Sequence, residues 1–269
     1  MRAIFVKIFN NGWEVPEITL FSIWHIMYIA LIVGLTIGAA FILKNKSQET
    51  KTKVLNILAI AAIASYILDF FIMPIARVKG NPELVGDIDL DKLPFHICTL
   101  IGCLIPFAQF NTKLKNSKVK DVVVCLAIVA SLMYITYPGS ALGGVGTFCY
   151  KVVQTFVFHG LVFAWGVLSL TTKSAELKFK TIWKQAVGIA IIIAWAALGN
   201  AVYSNDARSF DWFFITGSTF PFIPKPLMPL VVLVAVFGMC AIIYSIDLIV
   251  KKVIAKKANK KELTNIENK

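Results

Sequence analysis

Charge is scarce in this sequence. Only 16% of its 269 residues are charged, 15 of them acidic, while 58% are hydrophobic, where a soluble globular domain carries about a quarter charged. A mean hydropathy of +0.75 points the same way. Histidine is scarcer still, with three residues at 25, 96 and 159. Five cysteines, at 98, 103, 125, 149 and 240, lie mostly inside apolar runs and form no C-x-x-C pair or other zinc-like spacing, which argues against a disulfide framework. The glycines of YPGSALGGVGTFCYK lack a GxGxxG or P-loop arrangement, so they read as turn residues and not as a phosphate cradle. The N-terminal MRAIFVKIFNNGWEVPE has an apolar patch too short and interrupted for a signal sequence, and it is expected to stay attached and lie in the interface. No soluble domain and no internal repeat stands out.

What remains is a series of apolar runs. A helix needs about 20 largely apolar residues to cross a bilayer, and seven segments qualify: 19–43, 54–77, 93–110, 119–137, 151–171, 184–204 and 227–250. The expected fold is therefore an all-α polytopic membrane protein with seven transmembrane helices over residues 1–250, followed by a Lys-rich tail at 251–269. The formal net charge of +12 would suggest nucleic acid in a soluble protein. Here the basic residues sit in short segments between apolar runs, so they read as orientation signals, and no nucleic-acid partner is expected. Alternate connections hold 19 and 8 of the 27 Lys and Arg. That split places the N-terminus outside and the tail in the cytoplasm of a multi-pass cell-membrane protein, expected to be a bacterial plasma-membrane one.

Chemistry concentrates around the run LPFHICTLIGCLIPFAQF at 93–110. An ionisable group inside a bilayer is a functional-site hypothesis by default. With that topology His25, Asp69, His96, Cys98, His159 and Asn200 all fall in the outer half of their spans, at depths of about 5–12 Å for a rise of 1.5 Å per residue. One account is a water-accessible cavity opening outward between helices; the other is separate inter-helix hydrogen bonds, each satisfying one polar side chain. Asp247 differs, since it is expected to pair with Lys251 one turn on. His96 and Cys98 are two residues apart and face nearly opposite ways on a helix, so a Cys–His couple needs a histidine from another span, and His159 is the better candidate. A thiol in apolar surroundings is otherwise inert. Gly160 beside it lets a neighbouring helix or a lipid chain approach closely. The aromatic-rich loop SFDWFFITGSTFPFIPKP reads as an interfacial belt or as a lid over a site.

The run LPFHICTL, an apolar span with a central His-Gly about sixty residues later, FVFHGLVF, and then GNAVY together resemble the bacterial YwaF-like integral membrane family. The resemblance covers roughly the whole chain. That family is related to an animal transmembrane protein regarded as an acyltransferase that remodels ether phospholipids with a Cys and a His. The resemblance implies that His96 is the histidine of the Leu-Pro-x-His motif, Cys98 the cysteine that follows it and His159 the later helix histidine. Two departures stand out. The animal branch has its cysteine just before the first histidine, where this chain has Phe95, and the family's adjacent Asn and Tyr are here separated as Asn200 and Tyr203.

Three functions compete. In the first, Cys98 takes an acyl chain from a membrane lipid, His159 is the base and His96 positions the ester carbonyl, with His25, Asp69, Asn200 and Tyr203 binding substrate; no cofactor is needed. The second is a small-solute permease or binding protein using the same groups without catalysis. The third, a metal site of His25, His96, His159 and Asp69, ranks last because no two histidines share a helix at i, i+4.

Overall fold

Inside a bilayer the backbone has no water to bond, so a chain of apolar runs must satisfy its amides within helices. A computed structural model describes residues 16–80, 90–115, 117–139, 146–205, 209–216 and 223–267. Eight α-helices run through them: α1 (Ile23–Leu43), α2 (Gln48–Gly80), α3 (Ile97–Phe110), α4 (Thr112–Lys115), α5 (Lys118–Thr136), α6 (Tyr150–Thr171), α7 (Trp183–Tyr203) and α8 (Met228–Glu267). Six of them, all but α3 and α4, are long and apolar enough to cross a membrane. The all-α membrane fold expected from the sequence is present, with one difference: the third apolar run makes a helix of only 14 residues, about 21 Å long against a hydrocarbon core of about 30 Å.

The start of α3 explains that length. Pro94 disfavours helical geometry in Leu93, and the chain turns tightly there, Phe95 N–H donating to the Leu93 carbonyl at 2.7 Å. His96 is extended, with φ −78° and ψ 148°, and its carbonyl accepts the first helical bond, from Leu100 at 3.0 Å. At the other end Asn111 leaves the helix and its Oδ1 accepts the N–H groups of Lys113 and Leu114 at 3.0 and 3.2 Å, capping the short α4.

The bundle is organised around α5. Every residue from Val123 to Ser131 is buried, as expected of a helix apolar all round and enclosed by protein. α6 packs along it most extensively, and α3, α7 and α8 also contact it. The α5–α6 seam is close because Gly166 has no side chain: a Cβ there would lie 2.7 Å from Ile128 Cγ1. On the other side of α6, a Cβ at Gly160 would meet Ile32 of α1 at 3.0 Å, so the close neighbour beside the His-Gly pair is α1. By contrast α1 keeps Leu31, Leu35, Phe41 and Ile42 exposed, as suits a lipid-facing helix.

A polar network that no sequence motif announces crosses the bundle near the α3–α4 connection. Lys120 is 1% exposed. Its Nζ donates to Ser174 Oγ at 2.6 Å and to Gln109 Oε1 at 3.4 Å. The same Oε1 accepts from Trp165 Nε1 at 3.3 Å, while Gln109 Nε2 donates to Asn56 Oδ1 at 2.8 Å. Gln109 thus links α2, α3, α5 and α6. Asp247 and Lys251 pair at 2.7 Å as expected.

Gln109→Leu keeps the volume but removes a shared partner from Lys120, Asn56 and Trp165. Since a buried polar group left unpaired costs about 1–3 kcal/mol, the variant should unfold in detergent with a stability loss of about 3 kcal/mol or more, read by thermal or chemical denaturation.

Candidate functional site

The seven residues singled out in the sequence do not converge on one place; they divide among four. His25 is the most fully used. Its Nε2 lies 2.8 Å from the Ile135 carbonyl and its Nδ1 accepts the Phe21 N–H at 3.0 Å. A carbonyl only accepts, so the proton sits on Nε2 and both ring nitrogens are engaged. The residue ties the start of α1 to the end of α5, as the second account of the polar residues describes.

Asp69 pairs with Lys92, which follows in the 3₁₀ turn Leu90–Lys92. Tyr66 one turn earlier donates its hydroxyl to the Lys92 carbonyl, and the Tyr150 hydroxyl is hydrogen-bonded to Asp69. Asp69 is 6% exposed, so its charge is balanced by a residue from the connection rather than by a histidine. Lys92 escaped the sequence reading because it stands among loop lysines, and only folding brings it onto α2.

His96, Asn200 and Tyr203 belong to an aromatic knot. Asn200 clamps the backbone of Trp212: its Oδ1 accepts the Trp212 N–H at 2.8 Å and its Nδ2 donates to the Trp212 carbonyl at 3.3 Å. His96 Nδ1 accepts the next amide, from Phe213, at 3.3 Å. Phe95 fills the centre, with ring centroids 5.1 Å from Trp195, 5.7 Å from Tyr203 and 4.8 Å from Trp212. Gly199 makes this possible, since a Cβ there would lie 2.4 Å from the Phe95 ring. Trp195 Nε1 closes the knot by donating to the Pro94 carbonyl at 2.8 Å. Phe210, Trp212, Phe213 and Ile215 are all buried, so residues 209–216 form a packed strap across the ends of α3 and α7; residues 217–222 of that loop lie outside the described residues. Phe213 and Phe214 hold φ of 63° and 56°, backbone strain that non-glycine residues bear only when their surroundings impose it.

The fourth place holds Cys98 and His159, and α5 links them. Cys98, half-buried, donates its thiol to the Ala130 carbonyl at 3.5 Å. One turn on, the Tyr134 ring stacks on the His159 imidazole with centroids 3.8 Å apart and planes 8° from parallel. His159 Nδ1 lies 2.8 Å from the Thr155 carbonyl on its own helix, which places the proton on Nδ1 and the lone pair on Nε2. That Nε2 is buried with no hydrogen-bond partner. A neutral imidazole with its acceptor nitrogen unspent is the form a general base takes. Tyr134, which sets the plane of the ring, carried no sequence signal, because a tyrosine near a helix end reads as an interfacial anchor.

No three His, Cys, Asp or Glu side chains among the described residues are grouped so as to hold a metal ion.

The knot yields a sharp test. Gly199→Ala should cost about 1–3 kcal/mol by overpacking, and adding Phe95→Leu should recover much of it. A double-mutant cycle of unfolding free energies measures the coupling, which contacting residues show and distant ones do not.

Neither a curated protein nor a solved structure matches the chain. A model of the TMEM164 family does, over residues 20–251, from just before α1 into the tail of α8 and so across all four places described above. This multi-pass helical membrane protein belongs to the TMEM164 family.

Proposed function

We propose that this protein transfers acyl chains of membrane lipids, with Cys98 forming a thioester and His159 acting as the base. One observation carries the reading: the only histidine nitrogen among the described residues that is buried without a partner, His159 Nε2, belongs to a ring stacked on Tyr134 of α5, one turn from Ala130, whose carbonyl holds the Cys98 thiol. The Cys98 proton passes to Nε2 as sulfur attacks the ester carbonyl, and the departing lysolipid oxygen takes that proton back. Water as the second acceptor makes the protein a lipase, and a lysolipid makes it an acyltransferase. His96 spends its Nδ1 on the Phe213 amide of the strap, so its part is to hold the start of α3, which carries Cys98, against that strap.

The same reading carries a topology. A split of 19 to 8 basic residues between alternate connections puts the N-terminus outside and the tail in the cytoplasm of the plasma membrane, which requires an odd number of crossings. Six long helices supply an even number, so α3 must count as the seventh. Its contacts with α2 support this: Lys92, ahead of α3, meets Asp69, and Gln109, near its end, meets Asn56. Those partners are 13 residues apart on α2, about 20 Å, so the stretch from Lys92 to Gln109 returns along most of the distance that α2 has travelled.

Two experiments bear on these statements. Incubation of the protein with phospholipid should give an acyl adduct by intact mass; Cys98→Ser should remove it, and His159→Leu should abolish turnover while leaving the melting temperature unchanged or raised, because it deletes a buried unpaired atom. An adduct that survives Cys98→Ser, or full turnover in His159→Leu, would sink the mechanism. For topology, an impermeant thiol reagent applied from outside should label Tyr137→Cys and spare Lys46→Cys, and the reverse pattern would overturn the orientation.

A further inference from the structure

The turn of α5 that gathers the thiol and the imidazole contains one more polar group. Ser131 stands between Ala130, whose carbonyl holds Cys98, and Tyr134, whose ring stacks on His159. It is 0% exposed and its hydroxyl has no hydrogen-bond partner. Among the described residues Ser169 on α6 is the one other buried hydroxyl in that state. Thr36, Thr136, Thr172 and Ser245 each return the hydroxyl to the carbonyl four residues back, at 2.6–2.8 Å, the ordinary resting place for a helical Ser or Thr in an apolar setting.

The register of the seam shows where Ser131 lies. Toward one end Val124 and Ile128 pack on Gly166; toward the other, Ile135 clusters with Val152 and Phe156. The helices are therefore antiparallel, and a residue midway between Ile128 and Ile135 falls opposite the stretch between Phe156 and Gly166. His159 occupies that stretch. Three residues on from Ile128 and four before Ile135, Ser131 shares their face toward α6, one turn from Tyr134, which stacks on His159, so a hydroxyl and an imidazole nitrogen, both buried and both unpartnered, lie about one turn apart along the seam beside the thiol's own acceptor. Native interiors rarely leave one such group unpaired without a reason.

We propose that Ser131 is a further catalytic residue of this site, its Oγ–H donating to the carbonyl oxygen of the acyl chain as Cys98 attacks. The inference rests on the acyl-transfer reading above. As the Sγ–C bond forms and the thiol proton moves to His159 Nε2, the carbonyl π pair collects on oxygen, where a donor is needed. When the C=O re-forms, the bond from carbon to the lysolipid oxygen breaks, that oxygen takes the proton from Nε2, and the Ser131 hydroxyl is left as it began. An unspent donor in a dry site is suited to this work because nothing must be broken before it acts, and loss of one such donor typically lowers kcat by about 10²–10³-fold.

The test uses the full chain reconstituted in phosphatidylcholine vesicles bearing a labelled acyl chain, with lysophosphatidylcholine as acceptor. Ser131→Ala should lower kcat by about 100-fold or more with KM little changed, slow formation of the acyl-Cys98 adduct without moving it to another residue, and leave the melting temperature equal or higher, since it removes a buried unpaired hydroxyl. Ser131→Thr, which keeps the hydroxyl, should restore much of kcat. Full turnover in Ser131→Ala, while Cys98→Ala and His159→Ala are inactive, would overturn the role of Ser131 and leave the acyl-transfer reading standing. So would a loss of turnover that tracks a fall in melting temperature and is not rescued by threonine. If the parent protein neither turns over phospholipid nor forms an adduct, or if Cys98→Ala and His159→Ala keep full turnover, the acyl-transfer reading fails and takes the proposal with it.

Discussion

Everything in this protein depends on the burial of α5. A helix surrounded by other helices inside a bilayer offers its polar groups no water at all, so each must find a protein partner or remain unpaired at a cost of about 1–3 kcal/mol. The chain meets this demand nearly everywhere. Lys120 at one end of α5 is met by Gln109 and Ser174, Asp121 accepts the Glu176 N–H at 3.0 Å, and the Ile135 carbonyl at the far end takes the proton of His25. Against that background the hydroxyl of Ser131 and the Nε2 of His159 are among five buried side-chain atoms of the described residues left without a partner, and these two lie about one turn apart along the α5–α6 seam.

The short motifs near residues 93–96 and 199–203 acquire a physical meaning from the knot. Proline bends the chain into α3, glycine clears space for the Phe95 ring, asparagine bonds both the N–H and the C=O of one residue, and histidine accepts the next amide along. These residues seal the bundle where the start of α3 and the end of α7 meet the strap. A sequence motif of polar and small residues in a membrane protein can thus record how a wall is built as much as which atoms react. Phe95 serves as packing against three other aromatic rings.

Much of the fold was legible in the sequence because apolar runs of spanning length and the spacing of lysines are one-dimensional signals. Six helices appear where those runs lie. The true extent of α3 was harder to read, since hydropathy continues through Leu93–Phe95 while proline geometry does not permit a helix there. Of the site, Cys98 and His159 were visible as isolated reactive groups in apolar surroundings. Ser131 and Tyr134 were not, because small hydroxyls and interfacial tyrosines are ordinary in membrane helices and acquire significance only through which helix they face. The depth argument grouped His25 and Asp69 with the others by level alone. Level carries no azimuth, and the structure turns these two toward Ile135 and Lys92 instead.

The strap over the knot has one further consequence. Phe213 and Phe214 both sit in the left-handed region of backbone space, a conformation worth about 1–3 kcal/mol of strain for each such residue, and the amides just before and within this pair are gripped by Asn200 and His96. The strap is therefore a loaded spring under two catches. Letting go of the catches returns the stored energy, which offsets part of the contact energy lost. Opening at that end of the bundle is thereby cheaper than the number of packed rings would suggest.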